Sequence, residues 1–172
     1  MENPFRFDPA KALEVILYIA ERAKEPDLYH IPKILYFADK NHLENYGRFI
    51  CGDSYIAMKH GPVPSGVYDI IKDVRLDRKP FYDLNSKETF VVNGNLVIPK
   101  RKANLEFFSK SDLKCLDVSI NENECLSFGQ LKYKSHDAAY ETANIDDEIS
   151  VFEIAKGLKD ADALIELLEE CV

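Results

Sequence analysis

One stretch near the N-terminus limits the fold more than any other. Residues 8–20 read Asp-Pro-Ala-Lys-Ala-Leu-Glu-Val-Ile-Leu-Tyr-Ile-Ala. Asp8 can cap the free N–H groups of a first helical turn, and Pro9 suits the first helical position, where a missing N–H costs nothing. Leu13, Ile16, Leu17 and Ala20 follow at helical spacing, while Val15 and Ile19 widen the apolar surface beyond one stripe. A helix apolar on so much of its circumference is expected to be deeply buried. The same stretch holds the longest apolar run, Val15 to Ala20. It is far short of the roughly 20 residues that a membrane span needs.

The elements that must cover this helix are legible in outline. Lys24-Glu25-Pro26-Asp27 breaks it, and a second helix follows with Ile31, Ile34, Leu35 and Ala38 inward. Pro32 belongs in its first turn and Gly47 at its end. Tyr55-Ile56-Ala57-Met58, bounded by Gly52-Asp53 and His60-Gly61-Pro62, reads as a short strand. Pro62 and Pro64 are expected to open a third helix, with Val67, Ile70, Ile71 and Val74 on one face. Phe90 to Ile98 reads as a hairpin with a type I′ turn at Asn93-Gly94, since both residues tolerate positive φ. Lys100 to Asn104 is a polar connector. Ser111-Asp112 is expected to open a helix with Leu113, Leu116 and Ile120 inward. Further helices are expected from Ser127 to Lys134, from Ser135 to Thr142 and from Asp160 to Cys171. The expected fold class is α+β, mainly α: a compact helical domain with a small antiparallel sheet inserted in its middle. A length of 172 residues suits one such domain, 1–172.

Charge is unevenly placed. The net charge is −8, yet residues 1–134 hold 20 basic and 19 acidic side chains. Residues 135–172 hold 2 basic and 11 acidic ones, so the excess lies around an acidic C-terminal helical segment, 145–172. That segment reads either as a solvated face or as a surface that attracts a basic partner. The acidic balance argues against DNA binding, because phosphate affinity rests on Lys and Arg, and no separate helix-turn-helix stands out. The N-terminus lacks a basic stretch followed by an apolar one, so no secretory signal is expected and the expected location is cytoplasmic. Cys51, Cys115, Cys125 and Cys171 show no Cys-x-x-Cys spacing and read as reduced thiols.

No constellation in the sequence spells out a reaction. Ser135-His136-Asp137 are contiguous, whereas a hydrolytic triad converges from separated positions, so Ser135 reads as a helix N-cap with His136 in the first turn. Asp39 and His42 share a face of the second helix and could supply half of a metal site. His60 and His136 could complete it, but an Asp-oriented His tied under a loop is the plainer reading. The glycines make no phosphate loop. Arg75, Arg78 and Lys79, like Lys100-Arg101-Lys102, lack interleaved aromatic residues and read as solvated charge. Tyr18, Tyr36, Phe37 and Tyr46 read as core. No catalytic residue, metal or cofactor is expected.

A longer pattern goes further. It runs Lys33-Ile34-Leu35-Tyr36-Phe37-Ala38-Asp39-Lys40-Asn41-His42-Leu43, then Tyr46-Gly47-Arg48. Gly52 to Pro64 and Val67-Tyr68 complete it. This ordered block resembles the centre of the Panacea domain, the SocA-like antitoxin family, also found in proteins labelled phage-associated GepA. A late piece, Leu126-Ser127 and then Ser135-His136 followed by an aromatic residue, is similar too. The resemblance covers most of the chain, from about Ala12 to Tyr140. Tyr140 stands where the family usually has Trp, and Phe49 where Pro often follows Tyr-Gly-Arg.

The resemblance implies a mainly helical, non-enzymatic antitoxin that neutralises a cognate protein toxin, encoded next door, by direct binding. For some members it implies delivery of the toxin to a cellular protease, which makes a proteolytic adaptor the alternative. A small metal-dependent hydrolase using Asp39, His42, His60 and His136 is the third reading. It also implies a prophage-associated setting, and because many antitoxins bind DNA a transcriptional regulator is the fourth reading, against which the net charge of −8 and the lack of a separate helix-turn-helix weigh. The short apolar runs make a membrane partner unexpected, and a homo-oligomer is compatible with the sequence. The match is densest at Tyr36, Asp39, His42, Asp53, Tyr55, His60, Gly61 and Pro62. Packing explains polar Asp53 and His60 beside Gly and Pro poorly. This segment, with His136 brought near it, is therefore expected to bind the toxin or to support the residues that do.

Overall fold

The computed structural model describes residues 3–171. Helix α1 (Pro9–Arg22) leads to α2 (His30–Tyr46), followed by strands β1 (Tyr55–Met58) and β2 (Gly61–Pro64) and helix α3 (Ser65–Arg75). A one-turn helix α4 (Ser86–Thr89) precedes the hairpin of β3 (Phe90–Asn93) and β4 (Leu96–Pro99). Helices α5 (Lys110–Asn123), α6 (Phe128–Ser135) and α7 (Ala138–Glu141) follow. The chain closes with β5 (Glu148–Ile149), α8 (Val151–Lys156) and α9 (Ala161–Glu170). Helix is the dominant structure, with two small antiparallel sheets.

Helix α1 is the enclosed one. Asp8 accepts a hydrogen bond from the Lys11 N–H at 3.0 Å, and Pro9 opens the first turn. Every residue from Ala12 to Ala20 is buried, under α2, α3, α5 and the β3–β4 hairpin. Glu14 is buried with them because its carboxylate accepts from Arg101 Nη2 at 2.6 Å and the Asn104 N–H at 2.7 Å. A second cluster lies across α2. Tyr36 and Leu43 pack there with Phe49, Tyr55, Phe152 and Leu168. Helix α2 is therefore covered on both sides. Residues 145–171 join this second cluster, and β5 completes a three-stranded sheet of order β2-β1-β5.

Four local expectations shift. Pro62 does not open α3 but lies in β2 opposite Ala57, and Pro64, opposite Tyr55, is both the last residue of β2 and the N-cap position of α3. Strand β2 is an edge strand, where a residue without N–H removes no needed ladder bond, and α3 starts one residue later. The hairpin turn is centred on Gly94 and Asn95, because Asn93 pairs with Leu96. Gly94 alone supplies positive φ, at +62°, so the type I′ expectation gives way to a turn with glycine first. Helix α5 is opened by a reciprocal cap between Ser109 and Asp112, not by Ser111. Ser135 ends α6 with His136 as its C-cap, and Asp137 caps α7.

Of the aromatic set, Tyr18 and Tyr36 are buried, but Tyr46 is 45 % exposed. Cys51 and Cys115 are buried, Cys125 and Cys171 exposed, and all four are free. Among the described residues no helix is long and apolar enough to cross a membrane.

The enclosure of α1 has a direct test. Ile16→Ala is expected to cost about 2–5 kcal/mol in chemical denaturation, as a large-to-small change in a packed core. Tyr133→Ala, at a side chain 87 % exposed, should stay within about 0.5 kcal/mol.

Candidate functional site

The polar residues of the central block fall into two sets. The first is internal. Asp39 is fully buried on α2; its Oδ1 accepts from the Ile50 N–H and its Oδ2 from the Tyr55 hydroxyl, both at 2.6 Å. Burial pushes the Asp39 carboxyl up to about 7, against the pull of those hydrogen bonds. Burial also pushes the Tyr55 phenol well up, with the Asp39 charge adding to it.

Asp53 accepts from the N–H groups of Ser54 (2.9 Å), Gly66 (2.9 Å) and Val67 (2.8 Å). Helix α3 follows Pro64, which offers no side-chain cap, so Asp53 caps it from eleven residues earlier in the chain. Burial raises this carboxyl to about 6.

The Tyr36 hydroxyl donates to Asp137 Oδ2 at 2.9 Å, and Lys40 Nζ reaches the same oxygen at 2.6 Å. Burial, then the Asp137 charge, push the Tyr36 phenol up. His42 lies between the Arg48 carbonyl (Nδ1, 2.9 Å) and both Ser111 Oγ (Nε2, 3.0 Å) and Asp112 Oδ1 (Nε2, 3.2 Å). Asp112 also takes Lys11 Nζ at 2.6 Å and Arg48 Nη2 at 2.9 Å. Burial alone would raise Asp112, but hydrogen bonds from His42, Lys11 and the Ser109 N–H hold it well below the usual carboxylate range.

Asp39 and His42 thus face separate partners. Among the described residues, Glu25, Asp27 and His30 bring ligand atoms within 4.8 Å of one another. Both His30 nitrogens are already engaged, by Asp27 Oδ1 at 2.9 Å and the Leu126 carbonyl at 2.8 Å.

The second set gathers around the β1–β2 turn. Gly61 has φ of +104°, and a Cβ there would fall 2.5 Å from Ser135 Oγ and 3.0 Å from Lys33 Cε. Only glycine allows this approach. Lys33 is 5 % exposed, and its Nζ donates to the Pro62 carbonyl at 2.7 Å. Burial lowers its ammonium to about 7.

His60 meets the Phe128 ring edge-on at 5.2 Å, and its Nδ1 is buried without a partner among the described residues. Partial burial, then the ammonium groups of Lys132, Lys59 and Lys33, hold its pKa down. His136 stacks on Tyr140 with ring centroids 4.1 Å apart, and its Nε2 is also buried without a partner among those residues. Burial, then Lys132, hold its pKa down as well. The Tyr140 hydroxyl donates to the Met58 carbonyl at 2.9 Å, which ties α7 to β1.

The fold therefore gathers His60, Gly61, Pro62 and His136 around Lys33. It places Tyr36, Asp39, His42, Asp53 and Tyr55 in internal hydrogen bonds. A cleft of about 380 Å³ opens beside this turn. Leu28, Tyr29, Met58, Val63, Tyr68 and Ile145 wall it, and Lys33 is part of the lining. Lys59, His60, Arg75 and Asp146 supply the remaining polar lining. Sequence reasoning missed Lys33, Ser135 and Asp137 as members of this arrangement. Lys33 left a signal, a cation between Ile31 and Ile34 on a helix with apolar neighbours, and Ser135 stood in the late family motif.

A family model described as Antitoxin SocA-like, Panacea domain, matches residues 31–141. No curated protein and no solved structure matches the chain.

The internal set makes stability depend on pH. Asp39 holds its proton up to about 7 in the fold, against an ordinary value of 3.8. Its contribution is fully present below about 4 and is lost as pH rises toward about 7, because the fold then binds more protons than the unfolded chain. Asp39→Asn is expected to flatten that fall, measured by denaturation from about pH 4 to about pH 8. Asp53→Ala strips α3 of its cap and leaves buried N–H groups unpaired. A loss of about 1–3 kcal/mol is expected in the same measurement.

Proposed function

The chain belongs to the SocA-like antitoxin family, through its Panacea domain, and on that premise we propose that it neutralises a protein toxin by binding it directly. The observation that carries this reading is the family match, which runs from α2 through α7. The site arrangement supports it. Tyr36, Asp39, His42, Asp53 and Tyr55 stiffen the frame, while His60, Gly61, Pro62 and His136 stand at the turn beside the cleft. A turn held by a rigid scaffold is a common place for a binding surface. We place the toxin contact there. The partner is the product of a neighbouring reading frame, and the protein acts in the compartment where that product is made. Hydrolysis has less support, because Asp39 and His42 are fully buried and bonded to different groups.

Expression of the neighbouring frame alone should arrest growth. Co-expression with this chain should restore it in proportion to antitoxin dose, and the two proteins should co-purify at fixed stoichiometry. Rescue by trace amounts with no complex would instead mean enzymatic modification of the toxin or its target. An unchanged toxin half-life during rescue is expected for occlusion; a shortened one would mean delivery to a protease.

A further inference from the structure

We propose that the cleft beside the β1–β2 turn seats an acidic residue of the toxin, flanked by apolar side chains, with Lys33 as its ion-pair partner; this rests on the toxin-binding reading above. Three observations lead there. The first is the state of Lys33. An ammonium carries three donors, and among the described residues this one makes a single hydrogen bond, to the Pro62 carbonyl, and no ion pair. Holding a cation in so buried a place is costly, and an apolar side chain of similar length would stabilise the fold more. The cost is offset when a carboxylate arrives.

The second observation is the company Lys33 keeps. His60, with its unpartnered Nδ1, lines the same cleft. Lys59 and Arg75 add two cations, against the lone carboxylate of Asp146. This basic lining belongs to a chain of net charge −8, so the local sign opposes the global one. Complementarity is set locally, and here it selects an anion.

The third observation is the wall. Leucine, methionine, valine and isoleucine side chains with two tyrosines surround the cations. An apolar enclosure with few polar groups suits a side chain in a peptide better than a multiply charged phosphate, which needs more donors. Burial holds Lys33 to about 7, and among the described residues neither Asp146 nor another carboxylate pairs with it. A seated carboxylate would return the ammonium toward its ordinary range.

The test has two arms. In the first, amide shifts of isotope-labelled wild-type protein are followed during titration with N-acetyl-Leu-Glu-Phe-amide, its Gln counterpart, acetate and inorganic phosphate. Shifts confined to Lys33, Met58 to Gly61 and Tyr68 are expected with the Glu peptide, about tenfold weaker with the Gln peptide and absent in Lys33→Met. In the second, calorimetry measures affinity for the purified product of the neighbouring frame. Lys33→Met should bind about tenfold more weakly and Arg75→Gln a few-fold more weakly, with the Arg75→Gln deficit shrinking as salt rises. Glu166→Gln, on the exposed face of α9, should bind as wild type. Melting temperatures report whether Lys33→Met is folded, and exposed Arg75 tests the cleft without touching the interior.

Wild-type binding that neither variant weakens overturns the cleft and leaves the antitoxin reading standing. Absence of wild-type binding overturns that reading and removes the toxin as occupant. Larger shifts from acetate or phosphate than from the Glu peptide assign the cleft to a small anion. Self-association abolished by Lys33→Met assigns it to a second copy. Either outcome overturns the proposal.

Discussion

Helix α2 carries polar side chains inward while both of its sides are covered, and the rest of the structure is arranged to satisfy them. A buried polar group left unpaired costs about 1–3 kcal/mol. Each such group on α2 therefore fixes another part of the chain in position and orientation. Asp39 anchors β1 through Tyr55 and the preceding loop through Ile50. Tyr36 and Lys40 hold Asp137, and with it the start of α7. His42 reaches α5 through Ser111 and Asp112. The Ile34 carbonyl accepts from Ser119 Oγ at 2.6 Å, so even the backbone of α2 takes part. Apolar packing alone is non-directional; these bonds choose one arrangement among many that would bury similar area.

The same logic extends outward through carboxylates. Asp112 caps its own helix and joins Lys11 of α1, Arg48 of the α2–β1 loop and His42 of α2. Asp53 replaces the cap that Pro64 cannot give to α3. Glu14 draws the connector after β4 onto α1 through Arg101 and Asn104. Asp39 and Asp53 are held high by burial, whereas Asp112 is held low by hydrogen bonds from His42, Lys11 and the Ser109 N–H, with the Lys11 charge adding to them. All three are hydrogen-bonded; what differs is whether those bonds outweigh the cost of burial.

What the sequence could disclose follows from this division. Helix α1 was legible because cap, propensity and apolar pattern agree over one local stretch. Ser127 and the face of α9 were legible for the same reason. Pro62 and Pro64 misled, because proline before a helical pattern suits both a helix start and an edge strand. Only pairing with β1 decides between them. The hairpin register moved by one residue because Asn93 pairs across the turn with Leu96, leaving Gly94 to take the positive φ. The two-residue strand β5 is too short to leave a pattern. At the site, the family pattern marked the right stretch of chain. It could not separate the residues locked in internal bonds from those left unsatisfied near Gly61. That distinction depends on α6 arriving with Ser135 and His136, a contact across some seventy residues.

Helix α2 also keeps two fields apart. Helix α9 packs at its C-terminal end: Leu167 lies against Gly47, and the Lys159 N–H meets Glu44. The exposed Glu166, Glu169 and Glu170 therefore belong to that end. Lys33 and the cationic cleft belong to the other. Fourteen residues of helix between Lys33 and Gly47 span about 21 Å. Screening at physiological salt acts over about 8 Å, so the acidic end neither neutralises the cleft nor repels what enters it. Net charge then describes how the whole molecule drifts in a field, while the cleft sets what can be seated.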